Sequence, residues 1–284
     1  MRKNILFILT FSFSFLFAQE KLEKSLLWKI SGKNIETSYL FGTMHATCET
    51  NLSQNVINAI SQTKDIYLEL DLDDSNLQMN MMQHMNMKNG ETIKNLISEK
   101  DYQLLDAFLI KELGMGLSAY NTIKPFFIST MFITKFLDCP MQSIETSLMA
   151  QAKKEKEEVY GLETVEDQVA AFESIPYKEQ AQELVKFAKE GLQKSKKEFK
   201  ELMEIYKSED IEKMLAISFQ KEDNMFKKHI DALLTNRNKN WIQKIVAIST
   251  KNKSFYGVGA AHLAGEYGVI NLLRKRGFKV EAVR

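Results

Sequence analysis

Two short segments at opposite ends of the chain carry the same arrangement of residues that could do chemistry. "YLFGTMH", residues 39–45, and "FYGVGAAH", residues 255–262, each place Gly-x-x-His directly after an apolar, aromatic-containing run. Gly42 and Gly259 allow backbone geometry that a β-carbon would resist. In an α/β sheet the position just beyond a strand is where ligands and catalytic groups collect. If the two strands are neighbours, His45 and His262 converge on one point. Neutral imidazole is the commonest side-chain ligand of divalent transition metals and a ready proton acceptor. The competing reading is two polar residues that merely close their strands.

Carboxylates lie between them. In "LELDLDD", side-chain alternation puts Glu69, Asp71 and Asp73 on one strand face and the leucines on the other. An acidic strand face needs cations, water or a site. Glu69 is the most interior of the three and the first candidate, with Asp71 second; Asp73 and Asp74 suit a helix cap. "YGLETVEDQ" delivers Glu163 from a second short strand, as a ligand, a base or a strand-end carboxylate. Thr164 would cap the helix that follows, without the Glu or Gln that completes a usual capping box. Arg237 could pair with a substrate carboxylate or hold Glu69 in place. Glu266, four residues after His262, is equally well explained by a helix start. "MNMMQHMNMK" offers thioethers and His84, ligand types that suit Cu(I), but packing of a helix face accounts for the spacing equally well.

The elements that must position these groups follow from the patterning. Two alternating runs around Gly32-Lys33-Asn34 predict a β-hairpin. A helix capped by Asn51 and the strand "DIYLELDL", residues 65–72, complete a βαβ-like unit. Helix-compatible spacing covers 75–88, 98–112, 124–138, 143–155, 176–206, 208–234 and 236–249. The C-terminal segment reads as strand, glycine-rich turn, a helix starting near Gly265-Glu266 and stopping at Gly277, and a last strand. The prediction is an α/β (mixed α+β) fold. Its central sheet is built from N- and C-terminal strands around a large helical middle, as one domain over 19–284.

Composition narrows the function classes. The 284 residues carry a net charge of +1, 26% charged and 44% apolar residues, so no overall field favours nucleic acid. Residues 1–18 combine Arg2 and Lys3, a short apolar run and a small residue before the cut, the pattern of an export signal. The run falls short of the roughly 20 residues of a bilayer span. The expectation is a protein in the periplasm or outside the cell, with no membrane attachment once the signal is removed. In an oxidising compartment the only two cysteines, Cys48 and Cys139, should pair, for a gain of roughly 2–4 kcal/mol. No phosphate loop, dinucleotide fingerprint, HExxH or nucleophile elbow is present.

Taken in order, "LFGTMH", "YLELDL", "GLETVEDQ", "RN" at 237–238 and "GVGAAHLAGEYGVINLLRKRGFKVEAV" resemble the TraB/GumN family, which includes the Tiki-type metalloproteases. The resemblance covers essentially the whole chain after the signal. It implies a fold shared with erythromycin esterases and the haem-binding ChaN proteins, with the two Gly-x-x-His motifs facing one cleft. It also implies a divalent metal ion, manganese or cobalt, on His45, His262 and Glu69. Glu163 and Arg237 match family motifs and complete the catalytic set with Glu69. The expected function is an exported metal-dependent hydrolase, a peptidase by preference, that uses the two Gly-x-x-His motifs and a strand glutamate on a peptide or small-molecule substrate. A metal-independent esterase-type hydrolase and a non-enzymatic haem, metal or peptide binder are the alternatives. Tiki proteins are membrane-anchored animal proteins, so fold and motif leave the substrate open.

Overall fold

The computed structural model describes residues 21–219 and 225–284; the expected export signal, residues 1–18, lies outside them. Six strands form one mixed sheet: β1 (Leu27–Ser31), β2 (Ser38–Thr43), β3 (Asp65–Leu68), β4 (Glu158–Gly161), β5 (Ser254–Gly259) and β6 (Lys279–Ala282), in the order β4-β3-β5-β2-β1-β6. The sheet is built from both chain ends, with β4 alone coming from the helical middle. β4, β3, β5 and β2 run parallel, and β1 pairs antiparallel with β2 and β6. All six residues of β2 are buried, as expected for a parallel strand covered on both faces.

The hairpin turns where the sequence places it, with Asn34 at φ 62°. The parallel register sets Thr43 beside Gly259 and Tyr67 beside Tyr256. The carboxyl ends of β2, β5 and β3 therefore lie together. Trp28, Leu40, Ile66, Leu68, Phe255, Tyr256 and Val258 are fully buried beneath them. Burial of each large side chain stabilises the sheet by about 1.5–3 kcal/mol. A second apolar cluster, containing Leu105, Leu109, Ile128, Phe132, Leu184 and Val185, holds the middle helices together.

Several local expectations change. Ser53, not Asn51, caps the first helix, Gln54–Ile60, by accepting from Val56 N–H at 3.4 Å. β3 stops at Leu68, so the alternating face predicted to Asp73 does not form. Thr164 and Asp167 do make a reciprocal capping box on the helix Val165–Glu173, because an aspartate at the third position reaches the Thr164 N–H at 3.1 Å. The helical stretch after Pro176 breaks at Gly191, φ 78°, into Tyr177–Glu190 and Leu192–Lys207. The last helix starts at Val269 rather than at Gly265, whose φ is 80°. Only Leu77–Gln83 of the methionine-rich segment is helical; Met81 packs with Leu70 and Val165, while Met79 and Met82 stay exposed. Cys48 and Cys139 are disulfide-bonded. Among the described residues no helix is long and apolar enough to cross a membrane.

Candidate active site

Four parallel strands deliver four side chains to the same sheet end. His45 follows β2, Glu69 follows β3, Glu163 follows β4 and His262 follows β5. β3 and β4 remain tied beyond their ends, with Leu162 N–H donating to Leu68 O at 2.8 Å and Glu163 N–H to Glu69 O at 2.9 Å. The helix Asn236–Ser249 brings Arg237, Asn238 and Trp241 across that end. His45 Nε2 and His262 Nε2 each lie 3.8 Å from one atom, Glu69 Oε1. Gly259 forms the floor: a β-carbon there would sit 3.1 Å from Glu69 Oε1, 3.5 Å from His45 Nε2 and 3.7 Å from His262 Cδ2. Only glycine leaves an open space of atomic size between these three groups.

A count of donors and acceptors defines what each group can still do. Arg237 has five N–H bonds. Nε donates to Glu163, Nη1 to Leu233 O and His262 Nε2, and Nη2 to Glu69 Oε2 and Glu163 Oε1. None remains for a substrate. Glu163 is equally engaged, accepting from Arg237, from Trp241 Nε1 at 3.1 Å and from Gln168 Nε2 at 3.2 Å. Glu69 Oε1 accepts the Gly259 N–H at 2.8 Å and otherwise faces the two imidazoles.

The histidines are held differently. His262 is buried, and its Nδ1 lies 2.6 Å from Asn238 Oδ1. An amide oxygen can only accept, so Nδ1 carries the proton and the Nε2 lone pair accepts from Arg237 Nη1 at 3.2 Å. Burial, beyond the pull of Glu69, drops its pKa from 6.5 to about 3. His45 Nδ1 lies 2.7 Å from Glu145 Oε1, while 66% of its side chain reaches solvent. Crowding by the protein lowers its pKa, but the Glu145 hydrogen bond and the Glu69 and Glu145 charges outweigh that and raise it to about 9. Burial likewise works against ionised Glu69, yet His262, Arg237, His45 and the Gly259 N–H hold its pKa at about 2. Glu163 moves upward, because burial and the Glu69 charge exceed the help from Arg237.

The model of the TraB/PrgY/gumN family matches residues 26–282, which includes every residue of this cluster. The chain belongs to this family. It is also similar to "Metalloprotease TIKI2" of Xenopus tropicalis, at 22% identity over 323 aligned positions covering 93% of the chain and 60% of that protein. The chain thus spans about 60% of the length of that relative. No solved structure matches it.

A TraB/PrgY/gumN member with such a relative invites a metal, and the donor set fits one in kind. His45 Nε2, Glu69 Oε1 and the His262 ring edge surround the space above Gly259, and an ion on His262 Nε2 would have to displace the Arg237 Nη1 hydrogen bond that this nitrogen accepts at 3.2 Å. Each ring has its far nitrogen hydrogen-bonded to an oxygen acceptor, the support that metal-ligating histidines ordinarily have. Donor atoms 3.8 Å apart are at the wide end of what an ion held about 2.0–2.2 Å from each would span. Among the described residues no three His, Cys, Asp or Glu side chains form a ready-made cage.

Asp71, the second acidic candidate, stands outside the cluster. Burial and neighbouring Asp73 and Asp74 raise its pKa to about 6. Glu266 pairs with Lys275 at 3.3 Å, away from the site. His84 faces Glu166 at 3.5 Å instead of joining the methionines as a ligand set. Glu145, Asn238, Trp241 and Gln168 join the site; Asn238 closes "RN" and Gln168 closes "GLETVEDQ", while Glu145 and Trp241 lie in none of the motifs that carry the resemblance. Glu145 looks in sequence like an ordinary first-turn acid after the cap Ser143.

Proposed function

We propose that this chain is an exported, metal-dependent hydrolase that cleaves peptides. The convergence of His45 Nε2 and His262 Nε2 on Glu69 Oε1 carries the reading. His45, His262 and Glu69 would hold a divalent ion, manganese or cobalt. Such an ion polarises a scissile carbonyl and acidifies water. The chain's own residues do the rest. Asn238 holds the His262 ring, and Gly259 N–H and Arg237 Nη2 hold the Glu69 carboxylate. Glu69, whose pKa is held at about 2, stays ionised and would serve as the carboxylate ligand. Glu163 and Arg237 serve by organising Glu69, since their hydrogen-bonding capacity is spent on one another and on their neighbours within the cluster. The exposed edge of His45 is the side from which substrate enters. The disulfide supports an oxidising compartment, in line with the export signal.

The test is peptide hydrolysis by purified protein together with its metal content. His45→Ala should lower turnover by roughly 10²–10⁴-fold, and exhaustive chelation should do the same reversibly. Unchanged cleavage in both would overturn the reading. A metal-free hydrolase is favoured by one observation, the 2.7 Å His45–Glu145 contact, which is the geometry of a base and its orienting carboxylate. Chelator-insensitive hydrolysis that rises as pH approaches about 9, where His45 loses its proton, would select it.

A further inference from the structure

The loop carrying His45 is bound along its length to the segment carrying Glu145. Ile144 N–H donates to Met44 O at 3.2 Å. Thr47 and Gln142 exchange both backbone hydrogen bonds, at 2.9 and 3.0 Å. The Thr50 hydroxyl donates to Gln142 Oε1 at 3.0 Å, and the Cys48–Cys139 disulfide joins the same two segments with its Cα atoms 5.8 Å apart. Glu145 projects from the first turn of the helix Ile144–Glu155 and is 4% exposed. A carboxylate buried to this degree needs a partner. Oε1 has His45; Oε2 has no hydrogen-bond partner among the described residues, and no lysine or arginine pairs with it there. The helix start and the Thr43 hydroxyl also favour the charge, but the imidazole is its one ion-pair partner among the described residues.

We infer that Glu145 is a positioning residue that fixes the His45 ring with Nε2 toward Glu69 Oε1, and that the Cys48–Cys139 disulfide clamps the two segments in that register. An imidazole on a solvent-exposed loop would otherwise rotate about its side-chain bonds and exchange tautomers. The Glu145 carboxylate accepts from Nδ1 and leaves Nε2 as the atom that faces the site. The claim rests on the proposed function only in giving His45 a task; the geometry of the ring can be tested without it.

The experiment is nitrogen-15 NMR of histidine-labelled protein, which has only four imidazoles to resolve, combined with Mn²⁺ titration. Wild type should show a slowly exchanging Nδ1–H on His45. Glu145→Ala should lose that signal and weaken Mn²⁺ binding by about 10–100-fold, with the His262 signals unchanged. Glu145→Gln keeps an acceptor oxygen without the charge and should retain the signal with faster exchange. The Cys48→Ser/Cys139→Ser double variant should move in the same direction by less. An unaltered His45 signal in Glu145→Ala overturns the proposal. Should that variant not fold, a Glu145→Gln spectrum identical to wild type, exchange rate included, overturns it instead. A wild-type-like double cysteine variant removes the clamp from it. If wild type binds no Mn²⁺, the metal reading falls while the ring signal still decides the role of Glu145.

Discussion

His45 and His262 come from the same Gly-x-x-His pattern on neighbouring parallel strands, and they end in opposite electrostatic states. One faces solvent with a carboxylate on Nδ1 and a pKa near 9; the other is buried with an amide on Nδ1, Trp241 at 4.5 Å and a pKa near 3. Both sit 3.8 Å from the same oxygen of Glu69, so the shared carboxylate does not make the difference. Burial and the nature of the Nδ1 partner do. A motif therefore places a histidine, and its surroundings decide whether it carries a proton.

The largest expected effect comes from removing the cation between Glu69 and Glu163. Arg237→Ala leaves Glu69 and Glu163 buried without their guanidinium and should cost about 3–5 kcal/mol, read by chemical denaturation. Gly259→Ala should come next. Its methyl group would enter the space between both imidazoles and Glu69. We expect loss of Mn²⁺ binding in calorimetry with little change in the denaturation midpoint. Asn238→Asp would give His262 the kind of partner His45 has. Its pKa should rise by roughly 1–3 units, followed by NMR titration; no rise would mean that burial alone separates the two rings.

The pH dependence of stability separates them more gently. His45 binds its proton more tightly when folded, so its contribution is complete below pH 6.5 and is lost as pH rises through about 9. His262 resists protonation when folded, so stability falls as pH drops from 6.5 toward about 3. Glu69, whose pKa is depressed from 4.5 to about 2, adds its own loss below pH 4.5. His45→Ala should flatten the limb between pH 6.5 and 9. His262→Gln should flatten the stretch between 6.5 and 4.5. Denaturation midpoints measured across pH check both; unchanged limbs would remove the electrostatic contrast.

Much of this arrangement was legible because its signals are local. Gly-x-x-His after an apolar run, Glu69 in an alternating strand and Glu163 before a helix cap are each short patterns. Asp71 misled because alternation was extended through a strand that stops at Leu68. Glu145 was missed because a first-turn glutamate is what any helix favours, and its 100-residue separation from His45 leaves no trace in either neighbourhood.

The sequence alone determined the strands and their turns, the residue types that reach the sheet end, and the family, since periodicity, glycine placement and ordered motifs depend on near neighbours in the chain. Only the tertiary structure decided which histidine is charged, that Arg237 and Glu163 are saturated by partners inside the cluster, and that Glu145 holds His45. Those outcomes depend on burial and on contacts between segments 24 to 168 residues apart, which exist only once the sheet has closed over them.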